Sequence, residues 1–288
     1  MPLLKVIVLA IVQGLAELLP VSSSAHVIVA EKLMGLDPSA PSMTLLLVML
    51  HTGTMFAVIV YFWRRWRETY FKNGVAFKRF AGLVILATAL TALIGEVIIK
   101  IIEKTALVGV PHAQIEDLFG HLELIAPALA TVGLLILFAG IVERRKHSIS
   151  PVTQELSARQ AGLIGAVQGL CLPFRGFSRS GATISVGMLA GVAKVRAEYF
   201  SFALAVVLTP PVVARELLRV VHAEKIAGSA DLAAAIFPSL LGAVFAFFAG
   251  LVALKWLSQW LERGRWYLFG IYCLAAAAAV ATMHNMGY

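Results

Sequence analysis

Charged residues are scarce in this chain. Only 14% of its 288 residues are Asp, Glu, Lys or Arg, while 60% are hydrophobic. A typical soluble domain is about 25% charged and about 45–50% apolar. A soluble core could not hide the excess of apolar surface, whereas lipid tolerates it. The composition therefore predicts a helical membrane protein that crosses the bilayer several times.

The chain also lacks the cysteine patterns of disulfide-bonded and zinc proteins. Its two cysteines, Cys171 and Cys273, lie in apolar stretches, with no Cys-x-x-Cys and no Cys/His cluster. The sequence therefore gives no support to a disulfide framework or a zinc site. The net charge of +8 could suggest nucleic acid, but the cations lie at the ends of apolar runs. Since cytoplasmic loops of membrane proteins have this pattern, we expect lipids around the protein and no nucleic-acid partner. The sequence leaves open whether the protein forms a homodimer.

Six apolar segments are long enough to cross a bilayer, which takes about 20 helical residues. They are predicted at about 42–63, 80–103, 122–143, 199–221, 232–256 and 264–284. Two further apolar regions, about 3–35 and 160–195, are each interrupted halfway by a polar stretch. Irregular polar backbone survives at membrane depth only inside protein or beside a wet cavity. We therefore predict two re-entrant helix–loop–helix hairpins.

The two interrupted regions resemble each other. The string Val-Gln-Gly-Leu at 12–15 recurs at 167–170, and three predicted spans follow each region. A repeat with an odd number of spans must return in the opposite orientation. We predict one membrane domain over 1–288 that consists of an inverted-topology pair, with the first repeat in 1–143 and the second in 159–288.

Positive charge indicates the orientation. Lys and Arg are concentrated in the predicted loops 64–79, 144–160 and 255–265, whereas the loop 104–121 holds Glu116 and Asp117. The cationic loops are expected in the cytoplasm. The first hairpin then enters from outside and the second from the cytoplasmic side, so that their polar tips can meet.

Polar residues concentrate at the first break. Gln13 and Glu17 are four residues apart and share a helix face. A carboxylate in an apolar hairpin is costly and is a functional candidate by default. After Pro20 the returning arm opens with a cluster of hydroxyl and imidazole side chains, at Ser22, Ser23, Ser24 and His26. The serines could equally act only as helix N-caps.

The second break places one arginine among hydroxyls and glycines. Arg179 is flanked by Ser178, Ser180, Gly181 and Thr183. A guanidinium offers a fork of donors that suits phosphate oxygens, and a following helix points its positive end at an anion. Both features predict a site for a phosphorylated lipid. A carboxylate is a poor partner for phosphate unless a cation lies between them, which implies a divalent cation such as Mg²⁺ or Ca²⁺.

Two other features carry expectations. Glu198 follows the second interrupted region, and it is predicted either to steady that hairpin through a hydrogen bond or to lie at the membrane surface. Tryptophans beside the cationic segments predict an aromatic belt, formed by Trp63, Trp66, Trp256, Trp260 and Trp266.

At these motifs the chain resembles the undecaprenyl-diphosphatase family of bacterial membranes, the bacitracin-resistance proteins. Residues 13–26 fit the family's Glu/Gln-x-x-x-Glu element and the Pro-Val-Ser-Ser-x-x-His that follows it. Residues 176–184 fit its second signature, and the stretch 51–54, ahead of Phe-Trp-Arg-Arg at 62–65, resembles a third. The match runs in order across most of the chain.

The resemblance implies a hydrolase that converts undecaprenyl diphosphate to undecaprenyl phosphate plus phosphate. It also implies a site open to the outer side of the bacterial cytoplasmic membrane, recycling of the lipid carrier for cell-wall synthesis, bacitracin resistance and a divalent cation. Glu17 with Gln13 would hold the metal or position water, and Ser23 would contact or attack the terminal phosphate. His26 would be the acid/base and Arg179 would bind the diphosphate. The remaining substrate contacts would be Ser22, Ser24, Ser178, Ser180, Gly181 and Thr183.

Two departures from the family pattern affect the site. Gln13 stands where many members have a second glutamate, which weakens a two-carboxylate metal site. Arg175 precedes Gly176 where the family usually has proline, and Pro173 lies earlier. Whether a serine or a water is the nucleophile stays open.

A secondary transporter or flippase for an anionic lipid or solute is the alternative. It would also use inverted repeats and broken helices. It accounts less well for a serine, a histidine and a glutamate beside an arginine, because bond cleavage needs an acid/base partner whereas binding does not. The hydrolase is therefore the favoured interpretation.

Overall fold

The computed structural model describes residues 2–36, 41–106, 121–145, 155–227 and 232–286. Over these residues the regular structure is entirely helical. In chain order the helices are α1 (Leu3–Leu18), α2 (Ser23–Leu33), α3 (Pro41–Thr69), α4 (Gly74–Ala106), α5 (Leu122–Arg145), α6 (Ala158–Cys171), α7 (Arg179–Leu189), α8 (Lys194–Ala227), α9 (Leu232–Glu262) and α10 (Tyr267–Asn285). The predicted all-α class is confirmed.

Six of these helices are long and apolar enough to cross a membrane. The candidate spans are Met43–Thr69, Gly74–Thr105, Leu122–Arg145, Lys194–Arg215, Ile236–Glu262 and Tyr267–Asn285. The six predicted spans are thus confirmed, and the chain is a multi-pass membrane protein.

The cationic segment 64–79 is mostly helical rather than a loop. α3 continues past its apolar part, where Arg64 Nε donates to Glu68 Oε1 at 3.0 Å across one helical turn. α4 begins after Asn73, whose Oδ1 accepts from the N–H of Ala76 at 2.8 Å. Local pairing and capping therefore lengthen both helices beyond their apolar stretches. The predicted loops 104–121 and 144–160 fall largely outside the described residues.

Both interrupted regions fold as two short helices joined by a turn. α1 and α2 have 16 and 11 residues, and α6 and α7 have 14 and 11. At 1.5 Å per residue none reaches the roughly 30 Å of a hydrocarbon core. α1 packs on α2, and α6 packs on α7. Their re-entrant placement and the inverted repeat stay predictions.

The chain divides into two compact units. The first contains Met1–Leu19, Ser23–Trp63 and Ala205–Leu257, and the second contains Pro20–Ser22, Arg64–Leu204 and Ser258–Tyr288. Each unit draws segments from both predicted repeats, so the units are not the repeats themselves. The predicted repeat boundaries stay a prediction.

Close helix packing on α9 positions the polar residues of the first unit. Beside Gln13, a Cβ added to Gly14 would lie 2.7 Å from the carbonyl oxygen of Ala246. A Cβ on Gly53, two residues after His51, would overlap the carbonyl oxygen of Ala243. Small residues let helix backbones approach this closely. α1 and α3 are therefore both held against α9. The packed interior around them is apolar, made of Val6, Leu9, Ala10, Val27, Met43, Leu46, Leu50 and Ala246.

Two tryptophans of the predicted aromatic belt are interior residues instead. Trp66 is 6% exposed and its indole N–H donates to the carbonyl of Tyr199 at 3.2 Å. Trp266 is 1% exposed and donates to Ser185 Oγ at 2.9 Å. A buried indole needs such an acceptor. The belt assignment is therefore wrong for both, whereas Trp63 and Trp256 are exposed.

Glu198 is buried in the second unit. Its Oε1 accepts a hydrogen bond from Ser258 Oγ on α9 at 2.6 Å. The carboxylate is therefore enclosed by protein rather than exposed, and this bond ties α8 to α9 rather than to the second hairpin. Its depth in the membrane stays a prediction. Burial of an acid with a hydroxyl partner makes the pair a structural contact between two helices.

Candidate functional site

Three polar side chains surround the carboxylate of Glu17 in the first unit. Gln13 Nε2 donates to Glu17 Oε2 at 3.1 Å, and Ser23 Oγ donates to the same oxygen. His51 Nε2 lies 3.6 Å from that oxygen. The side chain of Glu17 is 14% exposed and that of His51 34% exposed, so the carboxylate is partly shielded from solvent.

The local sequence explains why Ser23 reaches Glu17. Gln13 and Glu17 occupy one face of α1, which ends at Leu18. Ser22 then takes a left-handed conformation with φ of +68°, which is uncommon for a residue other than glycine. This turn reverses the chain and starts α2 at Ser23, facing the end of α1.

The hydrogen bond of Ser23 to Glu17 joins a hydroxyl to a carboxylate that can take its proton. An alcohol is a weak nucleophile until an adjacent base accepts its proton. The arrangement can therefore activate the hydroxyl of Ser23, or a water held in the same place, for attack on an electrophile such as phosphorus.

His51 is a residue of this cluster to which the sequence analysis assigned no role. Its Nδ1 lies 2.8 Å from the carbonyl oxygen of Leu47. Because a carbonyl can only accept, Nδ1 carries a hydrogen and Nε2 faces Glu17. The missed signal was a histidine inside an otherwise apolar span, which is itself a functional candidate. Only the packing of α3 beside α1 reveals its neighbour.

His26 lies on α2 three residues after Ser23, which places both on the same face of that helix. Ser24 is partly buried, as are Ser23 and His26, while Ser22 is buried. Contact of these side chains with a substrate stays a prediction.

The second motif surrounds the start of α7 in the second unit. Arg179 is the first residue of α7, and Ser178 is its N-cap, accepting from the N–H of Gly181 at 3.2 Å. Ser180 Oγ lies 3.5 Å from Ser178 Oγ. Thr183 Oγ1 donates to the carbonyl of Arg179 at 2.8 Å. The predicted combination of a guanidinium with a helix N-terminus is therefore present at one place.

Two of the predicted substrate contacts also have structural roles. Ser178 is buried and caps α7, and Thr183 is buried with its hydroxyl 2.6 Å from Ser201 Oγ on α8. Arg179 and Ser180 are more accessible. We therefore expect the accessible pair to provide the ligand contacts of this motif, while Ser178 and Thr183 hold the tip in shape.

Residues 171–176, where the sequence departs from the family pattern, lie at the end of α6 and in the turn between α6 and α7. α6 ends at Cys171, and Gly176 adopts a φ of +96°. A Cβ there would lie 2.6 Å from the carbonyl oxygen of Ile125. Glycine is therefore required for both conformation and space, so the tip packs on α5 despite Arg175 in the place of proline.

The side chains around Glu17 limit how a metal ion could be bound there. Among the described residues no group of three or more His, Cys, Asp or Glu could hold a metal ion. Gln13 presents its N–H to Glu17, as an amide must when it faces a carboxylate. One carboxylate, one hydroxyl and one imidazole fit a single divalent cation with mixed oxygen and nitrogen ligands.

Glu17 belongs to the first unit and Arg179 to the second. The meeting of the two tips, on which the predicted site depends, stays a prediction.

Known proteins match this chain over almost its full length. The family model described as bacitracin resistance protein BacA matches residues 6–279. Undecaprenyl-diphosphatase 2 of Acinetobacter baylyi is 56% identical over 286 residues, which are 98% of this chain and 98% of that protein. The undecaprenyl-diphosphatase of Desulfosudis oleivorans is 34% identical over 93% of each chain. That of Rhodopirellula baltica is 30% identical over 98% of each chain.

Proposed function

This chain belongs to the bacitracin resistance protein BacA family, and from that membership we propose that it hydrolyses undecaprenyl diphosphate to undecaprenyl phosphate and inorganic phosphate. The observation that carries the proposal is the hydrogen bond from Ser23 to the Glu17 carboxylate. It pairs a nucleophile with its base in the motif that the family resemblance singled out.

The reaction would begin with Glu17 taking the proton of the Ser23 hydroxyl. The oxygen would attack the terminal phosphorus, and the bond from that phosphorus to the bridging oxygen would break. The bridging electron pair would leave with undecaprenyl phosphate. Water would then hydrolyse the phosphoserine, release phosphate and restore the hydroxyl. A water in place of the serine could attack directly, with the same carboxylate as base.

Other residues would bind the diphosphate and move protons. Arg179 would grip its oxygens through the guanidinium fork, with Ser180 beside it. His26 would act as the acid/base partner of Ser23. A divalent cation, expected as Mg²⁺ or Ca²⁺, would neutralise phosphoryl charge when bound, and Glu17 with Gln13 beside it would hold it.

The proposed location is the bacterial cytoplasmic membrane, with the site open to the outer side. This follows from the cationic segments that precede α4 and follow α9, which the charge rule assigns to the cytoplasm. The product would return to cell-wall synthesis as lipid carrier, and its regeneration would confer bacitracin resistance.

Phosphate release from a prenyl diphosphate by the purified protein in detergent tests the proposal. We expect wild type to release phosphate, and Glu17→Gln and Ser23→Ala to lose activity by on the order of a hundred-fold or more. Glu68→Gln is the matched control, because it makes the same chemical change in an exposed ion pair on α3. Equal release by wild type, Glu17→Gln and a protein-free blank would refute the hydrolase.

A further inference from the structure

Two potential ligand atoms, His51 Nε2 and Glu17 Oε2, face each other in the first unit. Since Nδ1 of His51 donates to the carbonyl of Leu47, Nε2 of a neutral imidazole presents a lone pair. Glu17 Oε2, 3.6 Å away, is also an acceptor. The distance of 3.6 Å exceeds that of a hydrogen bond. A proton on Nε2 would make the two groups an ion pair, whereas a divalent cation would be held by Nε2 and Oε2 together.

The separation suits two ligands of one cation. Ligand atoms that each lie about 2.1 Å from a cation are about 3.0–3.6 Å apart for ligand–cation–ligand angles between right-angled and trigonal. The Nε2–Oε2 distance of 3.6 Å falls at the upper end of that range. The imidazole is already oriented by its other nitrogen, as metal-binding histidines are.

Gln13 has a different part in this arrangement. It is 1% exposed and donates its amide N–H to Glu17, so it orients the carboxylate. The second ligand that a glutamate would supply at position 13 is therefore missing from α1. His51, which arrives from α3, is placed to supply it.

We propose that His51 Nε2 and Glu17 form a mixed nitrogen and oxygen ligand pair for the divalent cation of this site, with Gln13 orienting the carboxylate. This inference rests on the proposed phosphatase function. Nitrogen ligands favour transition metals, whereas Mg²⁺ and Ca²⁺ prefer oxygen. The pair therefore gives the site a preference for Mn²⁺ over Ca²⁺.

Electron spin-echo envelope modulation of Mn²⁺ bound to the tag-free, full-length protein tests the ligand directly. We expect nitrogen modulation from one imidazole in wild type and its loss in His51→Gln. Mn²⁺ binding should weaken at least about ten-fold in this variant, the lower end of the effect of losing even an outer partner of a metal ligand. Ca²⁺ binding should weaken less, because glutamine retains an oxygen.

The control is His284→Gln. His284 lies on α10 with Nδ1 3.6 Å from Glu123 Oε2, and His121 Nδ1 lies 2.8 Å from the other oxygen of Glu123. Because these side chains are exposed, this variant tests for adventitious coordination of Mn²⁺ by a surface imidazole. Modulation that survives His284→Gln and disappears in His51→Gln supports the proposal.

Modulation that persists in His51→Gln, disappears in His284→Gln or is absent from wild type overturns it. Phosphate release by the same wild-type sample separates the two hypotheses. If the sample is active but lacks nitrogen modulation, His51 is not a ligand and the phosphatase stands. If it releases no phosphate, the proposed function itself fails.

Discussion

Gly14→Ala is expected to push α1 away from α9 and so disturb the Glu17 cluster. An added Cβ would lie 2.6 Å from Ala249 Cβ and 2.7 Å from the carbonyl oxygen of Ala246. Ordinary contacts start near 3.4 Å, so relief requires a shift of about 0.7 Å. The nearest backbone atom cannot rotate away as a flexible side chain would. The helices must therefore separate.

The expected magnitude combines two opposing effects. Overpacking costs about 1–3 kcal/mol, whereas alanine in place of glycine within a helix gains about 0.5–1 kcal/mol. The difference between these ranges is a fall in the free energy of unfolding of about 0–2.5 kcal/mol, with a central value of about 1 kcal/mol. A displacement approaching 1 Å also lowers phosphate release, on the order of ten-fold, because Gln13 and Glu17 move with α1.

Unfolding by SDS in mixed micelles, followed by tryptophan fluorescence, measures the stability, and phosphate release measures the site. Gly82→Ala is the control, because a Cβ at Gly82 on α4 would meet nothing within 4 Å. It should be neutral or slightly stabilising. If Gly14→Ala is as stable and as active as Gly82→Ala, the close approach of α1 to α9 is refuted.

Two further predictions concern buried hydrogen bonds in the second unit. Ser258→Ala removes the hydroxyl that donates to Glu198, which should lower the free energy of unfolding by about 1–3 kcal/mol; a loss no larger than that of an exposed serine would contradict it. Trp266→Phe and Ser185→Ala remove the two partners of one hydrogen bond, and a double-mutant cycle in the same unfolding assay should give a coupling of about 0.5–1.5 kcal/mol. Full additivity would show that this bond contributes nothing.

The spans were predictable because a lipid environment needs only a local property, a long apolar run. The ends of the helices were harder to predict from the sequence. α3 reaches Thr69 because Arg64 and Glu68 pair across a turn, and α4 begins where Asn73 caps it. Such pairings extend a helix beyond its apolar part, so hydropathy alone ends α3 too early and begins α4 too late.

Spacing along a single helix also predicted part of the site. Gln13 and Glu17 share a face, and the structure joins them by a hydrogen bond. The roles of other residues could not be predicted from spacing along a helix. Trp66 looked interfacial and is buried, because burial depends on which helix packs alongside. Ser178 caps α7, and its contact with the substrate stays a prediction.

The sequence by itself determined that the chain is a membrane protein of its family, with six spans and two polar breaks, because composition and motifs are properties of neighbouring residues. Only the tertiary structure brought His51 to Glu17 and Ser258 to Glu198. The first pair depends on helices that approach α9 through glycine and alanine contacts, such as Gly14 against Ala246. Close packing between distant segments leaves no periodic signal in the chain, and so it must be observed in three dimensions.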